Sequence, residues 1–90
     1  MLVAVRSSRF KRDVRKLEKQ GKDLTKLRSV LLLLLEEKPL PDHYRDHVLR
    51  GDWYGFRDLH VEPDWLLLYR VKDGELQLAR TGSHSELFRA

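Results

Sequence analysis

Hydrophobic residues in the first 37 positions follow a helical spacing after one short strand. The apolar run at residues 2–5 predicts the strand, and the serines that follow it are typical helix N-caps. A first helix places Phe10, Val14 and Leu17 on one face and ends at Gly21. A second helix over residues 23–37 carries a stripe of leucines along one side. We therefore expect two antiparallel helices in this part of the chain.

Beyond the second helix, the pattern changes to extended structure. Pro39 and Pro41 end the helix, and residues 43–52 predict an irregular segment. Aromatic and β-branched residues then predict strands at residues 53–61, 65–71 and 75–81, and residues 82–90 form a short tail. The expected fold is α+β: two N-terminal helices packed on a small antiparallel sheet. The opposite face of that sheet would be left concave, as a place for a ligand.

Composition limits the chain to one domain over residues 1–90 and favours a polyanionic partner. The sequence has 90 residues, with 18 basic against 14 acidic side chains and a net charge of +4. That excess points to nucleic acid as the leading partner. The sequence lacks cysteine, which fits a reducing cytoplasm. Its longest apolar run, residues 30–35, is far below the roughly 20 residues that cross a bilayer, so we expect a soluble cytoplasmic protein without a membrane anchor.

The C-terminal half carries an unusual set of side chains for proton transfer and phosphate binding: His47, Arg57, His60, Asp64, Arg80 and His84. Histidine titrates near physiological pH, so several histidines near guanidinium groups suit acid–base chemistry on a phosphodiester. Each residue also has an ordinary structural interpretation. His60 could pack at a strand end, Asp64 could be a turn acid, and the arginines could pair with acids such as Asp58 or Glu75.

A metal site is the less favoured interpretation of the histidines. His43 and His47 are four residues apart, the spacing of two ligands on one helix face, but Pro41 argues against a helix there. No third ligand follows at a recognised spacing. We therefore expect neither a metal nor a cofactor.

Three ordered blocks of the C-terminal half resemble the YafQ branch of the RelE/ParE toxin superfamily. They read YRDHVLRG at residues 44–51, WYGFRDLHVEPDWLLLY at residues 53–69, and RTGSHSELF at residues 80–88. The resemblance implies a RelE-like microbial ribonuclease fold. It also implies a toxin of a type II toxin–antitoxin pair, an endoribonuclease that cuts translated mRNA on the ribosome and is silenced by a cognate antitoxin.

The resemblance also implies a role for individual residues. The expected catalytic groups are His47, His60, Asp64, Arg80 and His84, and the expected substrate-holding groups are Trp65 and Phe88. RNA supplies its own nucleophile, the 2′-hydroxyl, so the protein must remove that proton, protonate the leaving 5′-oxygen and stabilise charge on the phosphate. His84 and Asp64 would handle protons, and Arg80 would hold the phosphate. Two positions depart from the family pattern, Val48 for proline and Ser83 for threonine, and neither departure removes a functional group.

The first helix carries a basic face that is a candidate for contacting ribosomal RNA: Arg9, Arg12, Lys16 and Lys19. A solvated surface is the plain alternative for these residues. Two alternatives also remain for the whole protein. One is a ParE-like inhibitor of DNA gyrase, and the other is an RNA-binding protein without turnover. The three histidines with Asp64 favour the nuclease, because an inhibitor has no need of grouped proton-transfer residues.

Overall fold

A computed structural model of the chain describes residues 1–88. The helices and strands, in chain order, are β1 (Val3–Arg6), α1 (Ser8–Lys19), α2 (Leu24–Leu35), β2 (His47–Val48), β3 (Arg57–Glu62), β4 (Trp65–Lys72), β5 (Glu75–Gly82) and α3 (His84–Phe88). Short 3₁₀ turns occupy Asp42–Tyr44 and Gly51–Trp53. The predicted α+β class, with two N-terminal helices on a sheet, is confirmed.

The sheet has five strands in the order β1-β5-β4-β3-β2, where the sequence predicted one strand near the N-terminus and a meander of three. Strands β2 to β5 pair antiparallel, but β1 joins β5 in parallel, with Val3 opposite Glu75. That pairing joins distant parts of the chain, so no local pattern reveals it. The first strand of the predicted meander begins at Arg57 instead of residue 53, because a 3₁₀ turn precedes it and Gly55 adopts a φ of +92°.

Both long helices begin where the sequence places a capping side chain. The Ser7 hydroxyl oxygen accepts the Phe10 N–H at 3.0 Å and donates to the Ala79 carbonyl at 2.7 Å, which ties the start of α1 to β5. Asp23 caps α2 in the same way through Thr25. Helix α2 ends at Leu35, before the predicted residue 37, because Glu37 takes a left-handed φ of +56°. In the described part of the chain, no helix combines the length and apolar character that a bilayer crossing requires.

Hydrophobic residues cover both faces of the sheet. The face against α1 and α2, called here the helix face, holds the larger core: Phe10, Leu27, Val30, Leu59, Trp65, Leu67 and Tyr69. On the opposite side, called the α3 face, Leu66 and Leu68 pack with Leu87. The sequence predicted an open concave surface there and a plain tail from residue 82. Instead, helix α3 within that tail covers part of this face, and residues 89–90 of the predicted tail lie outside the described residues.

Candidate active site

Strand register brings two of the predicted histidines to the α3 face, with one acid between them. His47 lies opposite Asp58 on β3, and Asp58 lies opposite Leu68 on β4. His60 lies opposite Leu66. Directly opposed residues of antiparallel strands point to the same side of a sheet. His47, Asp58 and His60 therefore project away from α1 and α2, on the side that α3 partly covers.

The two imidazoles converge on the Asp58 carboxylate. His47 Nε2 lies 3.8 Å from Asp58 Oδ2, and His60 Nε2 lies 3.9 Å from Asp58 Oδ1. The ring centroids of the two histidines are 6.5 Å apart. Asp58 is only 3% exposed, and its Oδ1 has no hydrogen-bond partner among the described residues. Burial raises the pKa of Asp58, and the nearby positive charge of protonated His47, His60 and His84 opposes that rise.

Backbone carbonyls fix the tautomer of both histidines. His47 Nδ1 lies 2.8 Å from the Arg45 carbonyl oxygen, and His60 Nδ1 lies 3.1 Å from that of Pro63. A carbonyl oxygen only accepts, so each Nδ1 must carry the proton and donate it. Each Nε2 is then the atom free to take up or release a proton, and both Nε2 atoms face Asp58. This is the arrangement that general acid–base catalysis requires of an imidazole.

Helix α3 carries the third histidine to the same region. Asp64, in the turn between β3 and β4, accepts the backbone N–H of His84 through Oδ1 at 2.9 Å. The ring of Phe88 lies 5.0 Å from the ring of His84, centroid to centroid. The structure thus brings His47 and His60 together at Asp58 and places Asp64 and Phe88 beside His84, whose charge also acts on Asp58. In this structure Asp64 contacts the His84 backbone and so helps to place the residue that carries the ring.

Trp65, a predicted substrate-holding residue, lies elsewhere. Its side chain is buried in the helix-face core, 1% exposed, and its Nε1 donates to Thr81 Oγ1 at 2.9 Å. A ring without an exposed face cannot stack on a base. The structure therefore does not support base stacking by Trp65 and gives this residue a core role instead.

Arg80, the predicted phosphate ligand, forms an ion pair with Asp13 of α1. Its Nε and Nη2 lie 2.8 and 3.0 Å from the two carboxylate oxygens of Asp13, and its side chain is 14% exposed. The hydrogen bonds to Asp13 raise the pKa of Arg80. Both arginines form ion pairs, as the structural alternative from the sequence had it, but with other acids than the two named there: Arg57 pairs with Asp46, and Arg80 pairs with Asp13, 67 residues away. The structure does not support phosphate binding by Arg80 in this state.

The predicted RNA-binding face of α1 is exposed to solvent. Arg9, Arg12 and Lys19 have no ion pair within residues 1–88, whereas Lys16 forms one with Glu86 of α3. That contact joins the basic face to the helix that carries His84. As for metal binding, the described residues contain no group of three His, Asp or Glu side chains placed to hold an ion.

Comparisons with known proteins identify the family. Residues 2–89 match the model of the bacterial toxin of type II toxin–antitoxin systems, YafQ. The mRNA interferase toxin YafQ of Escherichia coli K12 is 46% identical over 83 residues, which cover 91% of this chain and 90% of that protein. The chain belongs to the YafQ family. Solved structures with a similar fold include the E. coli DinJ-YafQ complex. Its matched chain is 43% identical to this chain with a TM-score of 0.90, and the match covers 98% of this chain and 99% of that chain. A metal-bound toxin from Helicobacter pylori is 44% identical with a TM-score of 0.92, covering 98% of this chain and all of the other.

Asp58 is the site residue that sequence reasoning missed in this YafQ-family chain. It entered only as a possible partner of Arg57. Asp58 and His60 are two positions apart on one strand, and that period places both on one face of a sheet. The signal was therefore present in the sequence, whose predicted strand contains both residues, but the burial of Asp58 became visible only in the structure.

Proposed function

We propose that the chain is a ribosome-dependent endoribonuclease that cleaves translated mRNA in the cytoplasm, as the toxin of a type II toxin–antitoxin pair. One observation carries the proposal: the Nε2 atoms of two histidines with a fixed tautomer face a buried carboxylate, and the charge of a third histidine, His84, also acts on that carboxylate. The relative from E. coli K12, which is named an mRNA interferase, supports the same activity.

In the proposed reaction the RNA 2′-hydroxyl attacks the adjacent phosphorus, and the bond to the 5′-oxygen breaks. One imidazole accepts the hydroxyl proton and another donates a proton to the departing oxygen. His47, His60 and His84 are the candidates for these two steps. Asp64 acts with His84, through the hydrogen bond that it accepts from the His84 backbone. Phe88 packs beside that ring and offers an aromatic surface for an unstacked base.

Asp58 has a part in this chemistry because one imidazole of the site carries a positive charge both before and after the proton transfers. An imidazole that has accepted a proton is a cation, and a carboxylate within 4 Å stabilises it. With Arg80 paired to Asp13, an imidazolium of the site can supply positive charge to the phosphate. General acid–base catalysis contributes about 10²–10⁴-fold, so positioning of the mRNA by the ribosome must provide much of the remaining rate.

The proposed partners are mRNA, ribosomal RNA and a cognate antitoxin. The solved E. coli complex pairs a YafQ toxin with DinJ, which supports an antitoxin for this chain. The exposed cations of α1 support contact with the ribosomal RNA backbone. Membership of the YafQ family weighs against the gyrase-inhibitor alternative, and the free Nε2 atoms weigh against simple RNA binding.

The test is to incubate the purified protein with ribosomes that translate a defined mRNA and to map the cut sites. Native protein should cut, and His84→Ala should lose at least about 100-fold in rate, as expected for removal of an acid–base group. His43→Ala is the matched control, because the fourth histidine packs on Tyr44 and does not face Asp58. It should cut at the native rate.

Each arm is run with excess chelator and again with added divalent metal, since a metal-bound relative exists. Cleavage by the native protein and by His43→Ala in both arms, but not by His84→Ala, supports the proposal. Equal cleavage by all three proteins would overturn the assignment of His84. Failure of the native protein to cut under any condition would overturn the nuclease proposal and leave RNA binding or gyrase inhibition.

A further inference from the structure

A second cluster of polar side chains lies directly behind His47, on the helix face. The Asp46 carboxylate accepts hydrogen bonds from Arg57 Nε at 3.1 Å and Arg57 Nη2 at 2.9 Å. It also accepts the Tyr69 hydroxyl. Val48, Arg57 and Tyr69 lie opposite one another across three strands, so they share the helix face.

Alternation along β2 connects this cluster to the active site. Asp46 and His47 are adjacent, and adjacent residues of an extended segment point to opposite sides of a sheet. Asp46 is held from the helix face while His47 projects from the α3 face. A fixed Asp46 side chain therefore limits how the backbone at His47 can rotate.

The segment before His47 needs such an anchor. Strand β2 is only two residues long, and it follows Arg45, whose φ of +52° is unusual for a residue with a side chain. The Arg45 carbonyl is the group that accepts the His47 Nδ1 proton. The tautomer and direction of His47 thus depend on a short segment whose own pairing is weak.

The two residues that donate to Asp46 keep their protons at working pH. Burial raises the pKa of Tyr69, and its hydrogen bond to Asp46 raises it further, so the phenol stays protonated and donates. The hydrogen bond to Asp46 likewise raises the pKa of Arg57. Asp46 therefore accepts from two donors that keep their protons.

We propose that Asp46 is a positioning residue: held by Arg57 and Tyr69 on the helix face, it sets the direction of the His47 imidazole on the α3 face. This inference rests on the proposed nuclease function. It goes beyond that function by assigning a role to three residues that do not touch the reacting groups. Their effect on the reaction passes entirely through His47.

The test is a double-mutant cycle between Asp46→Asn and His47→Ala, measured as cleavage on translating ribosomes. Asp46→Asn should lower kcat about 10- to 100-fold with little change in KM, as expected when a catalytic group is misplaced by about 1 Å. Combined with His47→Ala, it should add no further loss, because the group it positions is gone. Tyr69→Phe removes one of the two donor residues and should give a smaller loss of the same kind.

Two measurements keep the result interpretable. Glu36→Gln, which removes an exposed carboxylate 3.3 Å from Lys38, is the control and should leave cleavage unchanged. ¹⁵N NMR of the imidazoles reports the His47 tautomer without any cleavage assay, and Asp46→Asn should disturb the His47 signals while leaving those of His84 in place. Independent losses in the double mutant, or an undisturbed His47 spectrum, would overturn the positioning role. The spectrum still tests that role if the native protein proves not to be a nuclease.

Discussion

Burial of the Asp58 carboxylate lowers the free energy of unfolding of the protein. Its carboxylate is almost fully buried, one oxygen has no hydrogen-bond partner among residues 1–88, and the two nearest imidazole nitrogens lie beyond hydrogen-bonding distance. A buried polar atom without a partner costs about 1–3 kcal/mol, and more when it is charged. Such a group is expected where catalysis needs a charge in a fixed place and the rest of the fold tolerates its presence.

Asp58→Asn should therefore stabilise the protein at neutral pH while it lowers cleavage. Burial raises the pKa of Asp58 in the folded state, so its stabilising contribution is complete below its ordinary pKa of 3.8 and is lost as the pH rises past the folded value. The gain from Asp58→Asn should be about 1–3 kcal/mol at pH 8 and should shrink towards pH 4. Urea unfolding of both proteins at the two pH values measures this difference.

Asp52→Asn, in an exposed turn, is the control and should show no such pH-dependent gain. If Asp58→Asn were equally destabilising at both pH values, Asp58 would instead be a structural residue held by contacts that the carboxylate needs in either protonation state.

At the same scale, the limits of sequence reasoning are clear from particular residues. Three motif blocks predicted His47, His60 and His84 as site residues, and the structure brings the first two to Asp58. The catalytic role of all three stays a prediction. The ion pair of Arg80 was not predictable in this way, because its partner is supplied by α1, a distant segment of the chain. The core position of Trp65 agrees with the alternation along β4, which puts Trp65 and Leu67 on the same face of the sheet.

At the scale of elements, helix α3 depends on its first turn. Ser83 and Glu86 form a reciprocal capping box: the Ser83 hydroxyl oxygen lies 3.3 Å from the Glu86 N–H, and Glu86 Oε1 accepts the Ser83 N–H at 3.2 Å. A five-residue helix has little stability of its own. The cap, the contact with Asp64 and the packing of Leu87 therefore keep His84 in place.

The order of α3 should fall at acid pH, because its cap needs an ionised Glu86. Hydrogen bonds from Lys16 and from the Ser83 amide and hydroxyl lower the pKa of Glu86 to about 2. A lowered pKa contributes stability above the ordinary value of 4.5, and that contribution is lost as the pH falls towards 2. The protection factor of the Leu87 amide, which compares its exchange rate with the intrinsic rate at the same pH, should fall over this range in the native protein.

Two variants separate the cap from general acid unfolding. Glu86→Gln should exchange faster than the native protein above pH 5 and match it near pH 2. Ser83→Ala removes the hydroxyl and should cost about 1 kcal/mol of local stability at neutral pH. A Leu87 protection factor that did not fall with pH in the native protein, or fell equally in Glu86→Gln, would contradict the role of this charge.

Most element ends were predictable because local chemistry decides them. Ser7 and Gly21 mark the ends of α1 in the sequence, and the structure has a Schellman motif there, with the Lys22 N–H on the Leu17 carbonyl at 3.1 Å. By contrast, β1 pairs with β5 across most of the chain length, and β2 exists only as two residues against β3. Both depend on tertiary contacts that periodicity does not report.

At the scale of the whole molecule, the positive charge is unevenly placed. Arg9, Arg12, Lys16 and Lys19 repeat at three- and four-residue intervals, so they share one side of α1. Lys16 contacts Glu86 of α3, which places this side next to the helix that carries His84. A polyanion bound along α1 would therefore end beside the active site.

Removing two cations from the basic side of α1 should weaken ribosome binding more than removing two exposed cations from elsewhere on the surface. Arg9→Ala with Arg12→Ala should lower affinity and reduce the slope of log K against log salt by about 0.7–0.9 per lost phosphate contact. Arg28→Ala with Lys72→Ala removes the same charge from exposed positions elsewhere and is the matched control. Because both double variants have the same net charge, long-range attraction falls alike, and a difference between them isolates contact along α1. Equal slopes for the two variants would mean that the basic side of α1 is only a solvated surface.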